Sequence, residues 1–224
     1  MQGNSGKISL MNAPREQMIE QQVRAWHVLD EDVLDVLRTV PRELFVPKEQ
    51  QFMAFADAEV PLPQGQRMLR PSVVGRLLQA LSLTRTDRVL EVGAGSGFVT
   101  ACLAARSEYV RSVEVIPELS QLAHANLLSV GVRNAEVLTA DAAQVDATER
   151  YDVIALTASL PQYDARFEKL LETGGRLFVV VGEAPVMDAR LVRRVTADQW
   201  VRQSLFETVI DPLINARRPD EFVF

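Results

Sequence analysis

A single cysteine, Cys102, in 224 residues rules out an internal disulfide and suits a reducing compartment. No apolar run approaches the roughly 18–20 residues needed to cross a bilayer. Met1 to Asn12 is polar and lacks the apolar stretch of a secretion signal, so it reads as a mobile tail or an extended start and the chain as cytoplasmic. Only two histidines occur, His27 and His124, far apart and each in a helical pattern, which argues against a histidine-based metal site. No Ser-His-Asp or Cys-His constellation is visible. Cys102 stands among alanine and leucine and reads as core, not as a nucleophile. Positive charge is outnumbered, 24 Lys and Arg against 30 Asp and Glu, so the net charge of −6 leaves no footprint for nucleic acid or an anionic membrane. Short basic pairs such as Arg193-Arg194 are a solvated surface.

What is present is enough apolar residue, 47%, for one substantial core. From Asp87 onward, strand and helix patterns alternate, which argues for a parallel sheet covered by helices. Strands are expected from Arg88, at Tyr109–Val113, at Glu136–Thr139, at Tyr151–Leu156 and at Leu177–Val181. A helix opens at Pro117 and stops near Gly131; a short one spans Arg166–Leu171 and is closed by Gly174-Gly175. Arg190–Thr196 and Trp200–Val209 read as a hairpin added to the sheet edge.

The stretch Arg88 to Phe98 organises the rest. Val89, Leu90 and Val92 form an apolar strand that runs into Gly93, Gly95 and Gly97, and a helical pattern begins at Phe98. Glycines let a ligand approach the main chain closely. A dinucleotide fingerprint would need its third glycine at position 98, which is Phe98. The alternate spacing, with Glu91 two residues before the first glycine, instead resembles the first motif of class I S-adenosylmethionine-dependent methyltransferases. Glu114 follows Gly93 by 21 residues and ends the second strand, where a carboxylate can accept from both ribose hydroxyls. Asp141 ends the third strand, placed to meet an adenine amino group while the backbone of Ala142 meets a ring nitrogen. A plain turn-forming aspartate is the blander reading of that position.

Before this unit, Arg15–Trp26 carries Met18, Ile19, Val23 and Trp26 at helical spacing, and Asp30 is a plausible N-cap for a second helix that Pro41 ends. Pro41 to Pro47 should run extended or turn-like over a surface, and Gln50–Ala58 suits a short helix. Gly65 to Pro71 is a loop leading into a helix with the stripe Val73, Val74, Leu77, Leu78 and Leu81, and it lies where it can cover whatever the glycine turn binds.

Taken together, Met18-Ile19-Glu20-Gln21-Gln22, Val40 to Pro47, Gly65-Gln66, Val89 to Gly97, Ser112-Val113-Glu114, Tyr151 to Ile154, Thr157-Ala158 and Gly174 to Gly182 resemble the protein-L-isoaspartate (D-aspartate) O-methyltransferases from about Met18 to Leu213. The resemblance implies an α/β fold: a Rossmann-like class I methyltransferase sheet with an N-terminal helical extension and C-terminal antiparallel strands. Its parts would be a tail, 1–14, a helical cap with the substrate loop, 15–70, and an S-adenosylmethionine-binding domain, 71–224. It also implies methyl transfer from S-adenosylmethionine to the α-carboxyl of isoaspartyl residues in protein or peptide, beginning repair through a succinimide. The cofactor-binding residues would be Glu91, Gly93, Gly95, Gly97, Glu114, Asp141 and Ala142.

One departure stands out. The family's substrate loop reads Gly-Gln-Thr-Ile-Ser-x-Pro, and here the Thr position holds Arg67 and the active-site Ser position holds Leu69. Asp-Gly after the third strand is Asp141-Ala142. A carboxylate with a pKa near 4 is ionised at neutral pH and needs little general-base help, so catalysis is mostly positioning and exclusion of water. Losing one positioning hydrogen bond to a charged group costs on the order of 1.5–3 kcal/mol, about one to two decades in rate. Arg67 and Arg70 either supply replacement donors to an anionic acceptor or point to solvent. Two further readings therefore stand beside isoaspartyl methylation: the same cofactor with another acceptor, or a protein that holds the cofactor without catalysis.

Overall fold

The computed structural model describes residues 13–218. Seven strands form one sheet in the order β5-β4-β3-β6-β7-β8-β9, where β3 is Arg88–Val92, β4 Tyr109–Glu114, β5 Ala135–Thr139, β6 Tyr151–Leu160, β7 Leu171–Glu183, β8 Val186–Thr196 and β9 Gln199–Glu207. β3 to β7 are parallel; β8 and β9 add the antiparallel hairpin at one edge. A separate two-stranded ribbon pairs β1, Val60–Pro61, with β2, Arg67–Met68.

The central strands read as apolar runs because both their faces are covered. On one face Val89, Val110, Val153, Phe178 and Leu191 pack under α2 (Glu31–Thr39), α3 (Pro71–Leu81), α4 (Phe98–Ala104) and α5 (Pro117–Ser129). On the other, Leu90, Ile154, Leu177 and Val192 meet the short α6 (Ala165–Lys169) through Phe167. Met18, Ile19, Val23, Leu34 and Leu37 join the first of these cores, so the N-terminal helices share a hydrophobic cluster with the sheet.

Local chemistry sets the helix ends. The Asp30 carboxylate caps α2 by accepting from Asp32 N at 3.0 Å, and α2 stops at Thr39, ahead of Pro41. Pro71 opens α3, whose first-turn Ser72 N–H, lacking a partner within the helix, donates to Asp57 Oδ1 at 2.9 Å; all five stripe residues are buried.

Several elements differ from the sequence expectation. The first helix, α1, includes residues 13–18, so it already covers two positions read as tail; the remainder of that tail, 1–12, lies outside the described residues. It then passes into a π turn, Ile19–Val23, and a 3-10 turn, Arg24–Trp26. Gln50–Ala58 is replaced by a 3-10 segment, Lys48–Met53. Pro41–Pro47 does not run over the surface: Arg42 is 1% exposed and Phe45 equally buried, because the guanidinium finds carbonyl partners inside. Gly174-Gly175 closes no helix. α6 ends at Lys169, and the glycines sit in β7 where its register against β6 shifts between Tyr151 and Val153. An added Cβ at Gly175 would lie 2.9 Å from Glu172 O and 3.0 Å from Asp152 O, so the bulge needs the missing side chain.

Candidate active site

The chain runs outward from β3 to β4 to β5, then returns to place β6 on the other side of β3. Ligands of open α/β sheets bind at the carboxyl ends of strands where the order reverses in this way. A cleft opens there, lined by Gly93, Glu114, Ala140, Ala142, Ala158 and Leu213 among others. A second cavity shares Gly93 and Glu114 with it and continues to Gly95, Arg67, Leu69, Thr157 and Asp211.

Gly93, Gly95 and Gly97 adopt φ of 98°, 55° and 85°, so the turn is built from left-handed residues. At Gly93 a Cβ would stand 2.5 Å from Thr157 Oγ1, a hydroxyl that lies 2.6 Å from Gly93 O and 2.9 Å from Val92 O. At Gly97 a Cβ would meet Ala123 O at 3.1 Å, so this glycine lets α4 and α5 close together instead of facing a ligand.

Glu114 is 6% exposed and its carboxylate tightens the turn: Oε2 accepts from Gly95 N at 2.9 Å and Oε1 from Ile116 N at 3.0 Å. An ionised carboxylate has about four acceptor sites, so two remain for hydroxyls of a ligand. Glu91 takes a different position. It is wholly buried and accepts from the Thr100 hydroxyl, beneath the turn and away from the cleft lining. Burial pushes its carboxyl up to about 8, against the lowering influence of Thr100 and Ser112. Ser112 sits opposite Glu91 in the β3–β4 register, and Glu91 Oε1 and Ser112 Oγ both lack a hydrogen-bond partner in the fold.

Asp141 caps a 3-10 turn, Ala142–Gln144. Its Oδ1 accepts from Ala143 N at 2.7 Å and its Oδ2 from Asn215 Nδ2 at 2.7 Å, and these bonds hold the carboxyl below the usual range. The capping role of the blander reading is therefore real, while Ala142 lies beside it in the cleft wall.

Gly65–Pro71 stands over the glycine turn. Arg67, Met68 and Leu69 all border the cavity, whereas Arg70, at the start of α3, does not. Leu69 is 8% exposed, and its carbonyl accepts from Arg42 Nη2 at 3.0 Å. Arg67 is half-exposed and pairs with Glu59 at 3.0 Å and Asp211 at 3.4 Å. Arg70 instead donates to Thr208 Oγ1 at 3.2 Å and lies over the Trp26 ring at 5.9 Å. Of the two arginines weighed as acceptor ligands, the fold brings only Arg67 to the cavity.

Four positions with no role assigned from sequence complete the site. Arg42 holds the Gly65–Pro71 loop from below, through Leu69 O and Ala54 O, with its guanidinium 4.8 Å from the Phe98 ring; burial lowers it to about 10, still cationic at neutral pH. Thr157 ends the apolar part of β6. Asp211 and Asn215 belong to a strap after β9 that Ser159 staples down by accepting from Leu213 N at 2.8 Å and donating its own N–H to Asp211 O at 2.9 Å. Nothing in the composition of that strap marks it. Among the described residues no group of His, Cys, Asp or Glu is arranged to hold a metal ion.

A model of the protein-L-isoaspartate (D-aspartate) O-methyltransferase family matches residues 13–217. The chain belongs to this family. A protein-L-isoaspartate O-methyltransferase from Methanoculleus marisnigri is 39% identical over 182 residues, covering 80% of this chain and 83% of its own length. One from Koribacter versatilis is 36% identical over 201 residues, covering 89% and 90%. A Plasmodium falciparum chain described as a protein-L-isoaspartate O-methyltransferase, solved with S-adenosyl-L-homocysteine, superposes with a TM-score of 0.78 at 20% identity, covering 89% of this chain and 97% of its own, and so shares the fold. The Val40–Pro47 segment, inside the matched residues, supports the Gly65–Pro71 loop through Arg42.

Proposed function

We propose that this chain methylates the free α-carboxylate of isoaspartyl residues in proteins and peptides, with S-adenosylmethionine as methyl donor, in the cytoplasm and as the first step of repair through a succinimide. The observation that carries the reading is the juxtaposition of loop and turn: Arg67 and Leu69 line the same cavity as Gly93, Gly95 and Glu114.

The residues present fit the donor. Gly93 lines the cleft with no side chain, in a position where a Cβ would strike the Thr157 hydroxyl, Glu114 keeps acceptor capacity for ribose hydroxyls, and Ala142, next to Asp141, borders the cleft for the adenine. When bound, S-adenosylmethionine supplies an electrophilic methyl group on a sulfonium. Transfer of that methyl to the acceptor carboxylate would leave the donor as a neutral thioether, the electron pair of the broken carbon–sulfur bond remaining on sulfur. No proton moves, because the acceptor is already ionised. The chain's part is to hold and dehydrate. Arg67 grips the acceptor carboxylate by charge-assisted hydrogen bonds. Leu69, Leu62 and Phe98 form a dry wall beside the reaction point. Arg42 fixes the loop height, Glu91 supports the turn from beneath, and residues 15–70 act as the cap that carries the acceptor loop.

The test is methyl transfer from labelled S-adenosylmethionine to an isoaspartyl peptide and to its ordinary aspartyl counterpart. Transfer confined to the isoaspartyl peptide supports the reading. Binding of the donor with no transfer to either peptide refutes it.

A further inference from the structure

The geometry points to Asp211 as an internal competitor for the acceptor's carboxylate at Arg67, and so as a residue that sets acceptor affinity. This rests on the reading above, in which Arg67 grips an anionic acceptor.

The two carboxylates on Arg67 are not equivalent. Glu59 adjoins β1, and β1 residue Pro61 pairs with Arg67 itself across the ribbon, so acid and guanidinium are carried on one small unit. Their 3.0 Å contact aims Arg67. Asp211 comes from the far end of the chain, on the strap beyond β9, and meets the other terminal nitrogen at a longer 3.4 Å. Among the described residues its side chain makes that one polar contact, whereas its backbone is stapled independently through Asp211 O and Ser159 N. The Asp211 carboxylate can therefore leave without releasing the strap.

Exposure favours the exchange. The Arg67 and Asp211 side chains are 52% and 32% exposed, and ion pairs in such surroundings are weak and screened by salt. An acceptor carboxylate that approaches Nη2 in plane, with Glu59 still holding Nη1, makes a better aligned charge-assisted bond than Asp211 does. Until it arrives, Asp211 keeps the guanidinium of Arg67 paired inside the cavity. Neutral or cationic side chains gain nothing by displacing it, so the competition also filters acceptors by charge.

The decisive measurement is steady-state methylation of an isoaspartyl peptide by the full chain and by Asp211→Asn, Arg67→Met and the double variant. Removing the competitor should lower KM about two- to fivefold in Asp211→Asn, and Asp211→Glu should restore the original KM. Arg67→Met should raise KM, and in that background Asp211→Asn should have no effect, an outcome a purely structural role for Asp211 would not produce. An unchanged or raised KM in Asp211→Asn, or an equal change with and without Arg67, overturns the competitor role while leaving the proposed function intact. No transfer by the unaltered chain or by any variant, with S-adenosylmethionine binding retained in calorimetry, overturns the proposed function itself.

Discussion

Replacing Leu69 by serine tests what the departure in the acceptor loop does. Leu69 is 8% exposed and packs where the loop meets Leu62, Phe98 and Val99, with its carbonyl anchored by Arg42. Truncating a buried leucine costs about 2–5 kcal/mol in a sealed core. Here one side of the residue opens on the cavity, so water can fill the space and the lower end, about 2 kcal/mol, is expected. For a chain of this size that lowers Tm by several degrees. Against this loss stands a hydroxyl aimed at the acceptor. One hydrogen bond to a carboxylate is worth about 1.5–3 kcal/mol if it forms only as the methyl is transferred, which is a gain of roughly ten- to a hundredfold in kcat. Leu69→Ala separates the two effects, since it makes the same space without the hydroxyl. The assay is initial-rate transfer to an isoaspartyl peptide beside thermal unfolding of all three chains. Serine should be faster than both leucine and alanine, while serine and alanine should melt alike. Equal rates for serine and alanine would mean that cavity volume governs the step, and a slower serine variant with intact donor binding would refute the positioning argument.

Glu114→Ala should weaken S-adenosylmethionine binding by about 1–3 kcal/mol in calorimetry, and it should also loosen the turn, because Gly95 N and Ile116 N lose their acceptor; unchanged affinity would place the ribose elsewhere. Gly97→Ala should cost about 1–3 kcal/mol of stability in urea unfolding, combining left-handed backbone with a methyl 3.1 Å from Ala123 O; a neutral result would show that α5 yields easily. Glu91 has a carboxyl pushed up to about 8 in the fold from an ordinary 4.5, so the native state holds a proton that the unfolded chain releases. Its stabilising contribution is complete below pH 4.5 and is lost as the pH rises toward 8, by at most about 4–5 kcal/mol. Glu91→Gln should flatten the fall of Tm between pH 5 and 8, and parallel curves for the two chains would show that Glu91 is ionised in the fold.

Much of this arrangement is legible in the chain because its signals are local. The alternation of apolar strand and amphipathic helix follows from backbone periods of 2 and 3.6. Asp30 at the start of α2, Pro71 at the start of α3 and the glycines after β3 act within a few residues of themselves. For that reason the sheet, its antiparallel edge and the position of the cleft could be anticipated. The same holds for Glu114, whose place depends only on the length of β4.

The tertiary structure decided what depends on pairing across long separations. Whether Arg67 or Arg70 borders the cavity turns on Glu59, Thr208 and Trp26, contacts that no spacing rule encodes. Glu91 looks like a ligand in the linear motif, yet a strand buried on both faces turns it under the glycine turn to Thr100. Arg42 reads as a surface residue between prolines until Leu69 and Ala54 present their carbonyls to it. Asp211 and Asn215 carry no pattern at all. They reach Arg67 and Asp141 only because the β8–β9 hairpin returns the chain across the carboxyl ends of the parallel strands. Local sequence chemistry therefore determined the scaffold and its glycine turn, while the long-range closure of the chain selected which side chains line the cavity beside that turn.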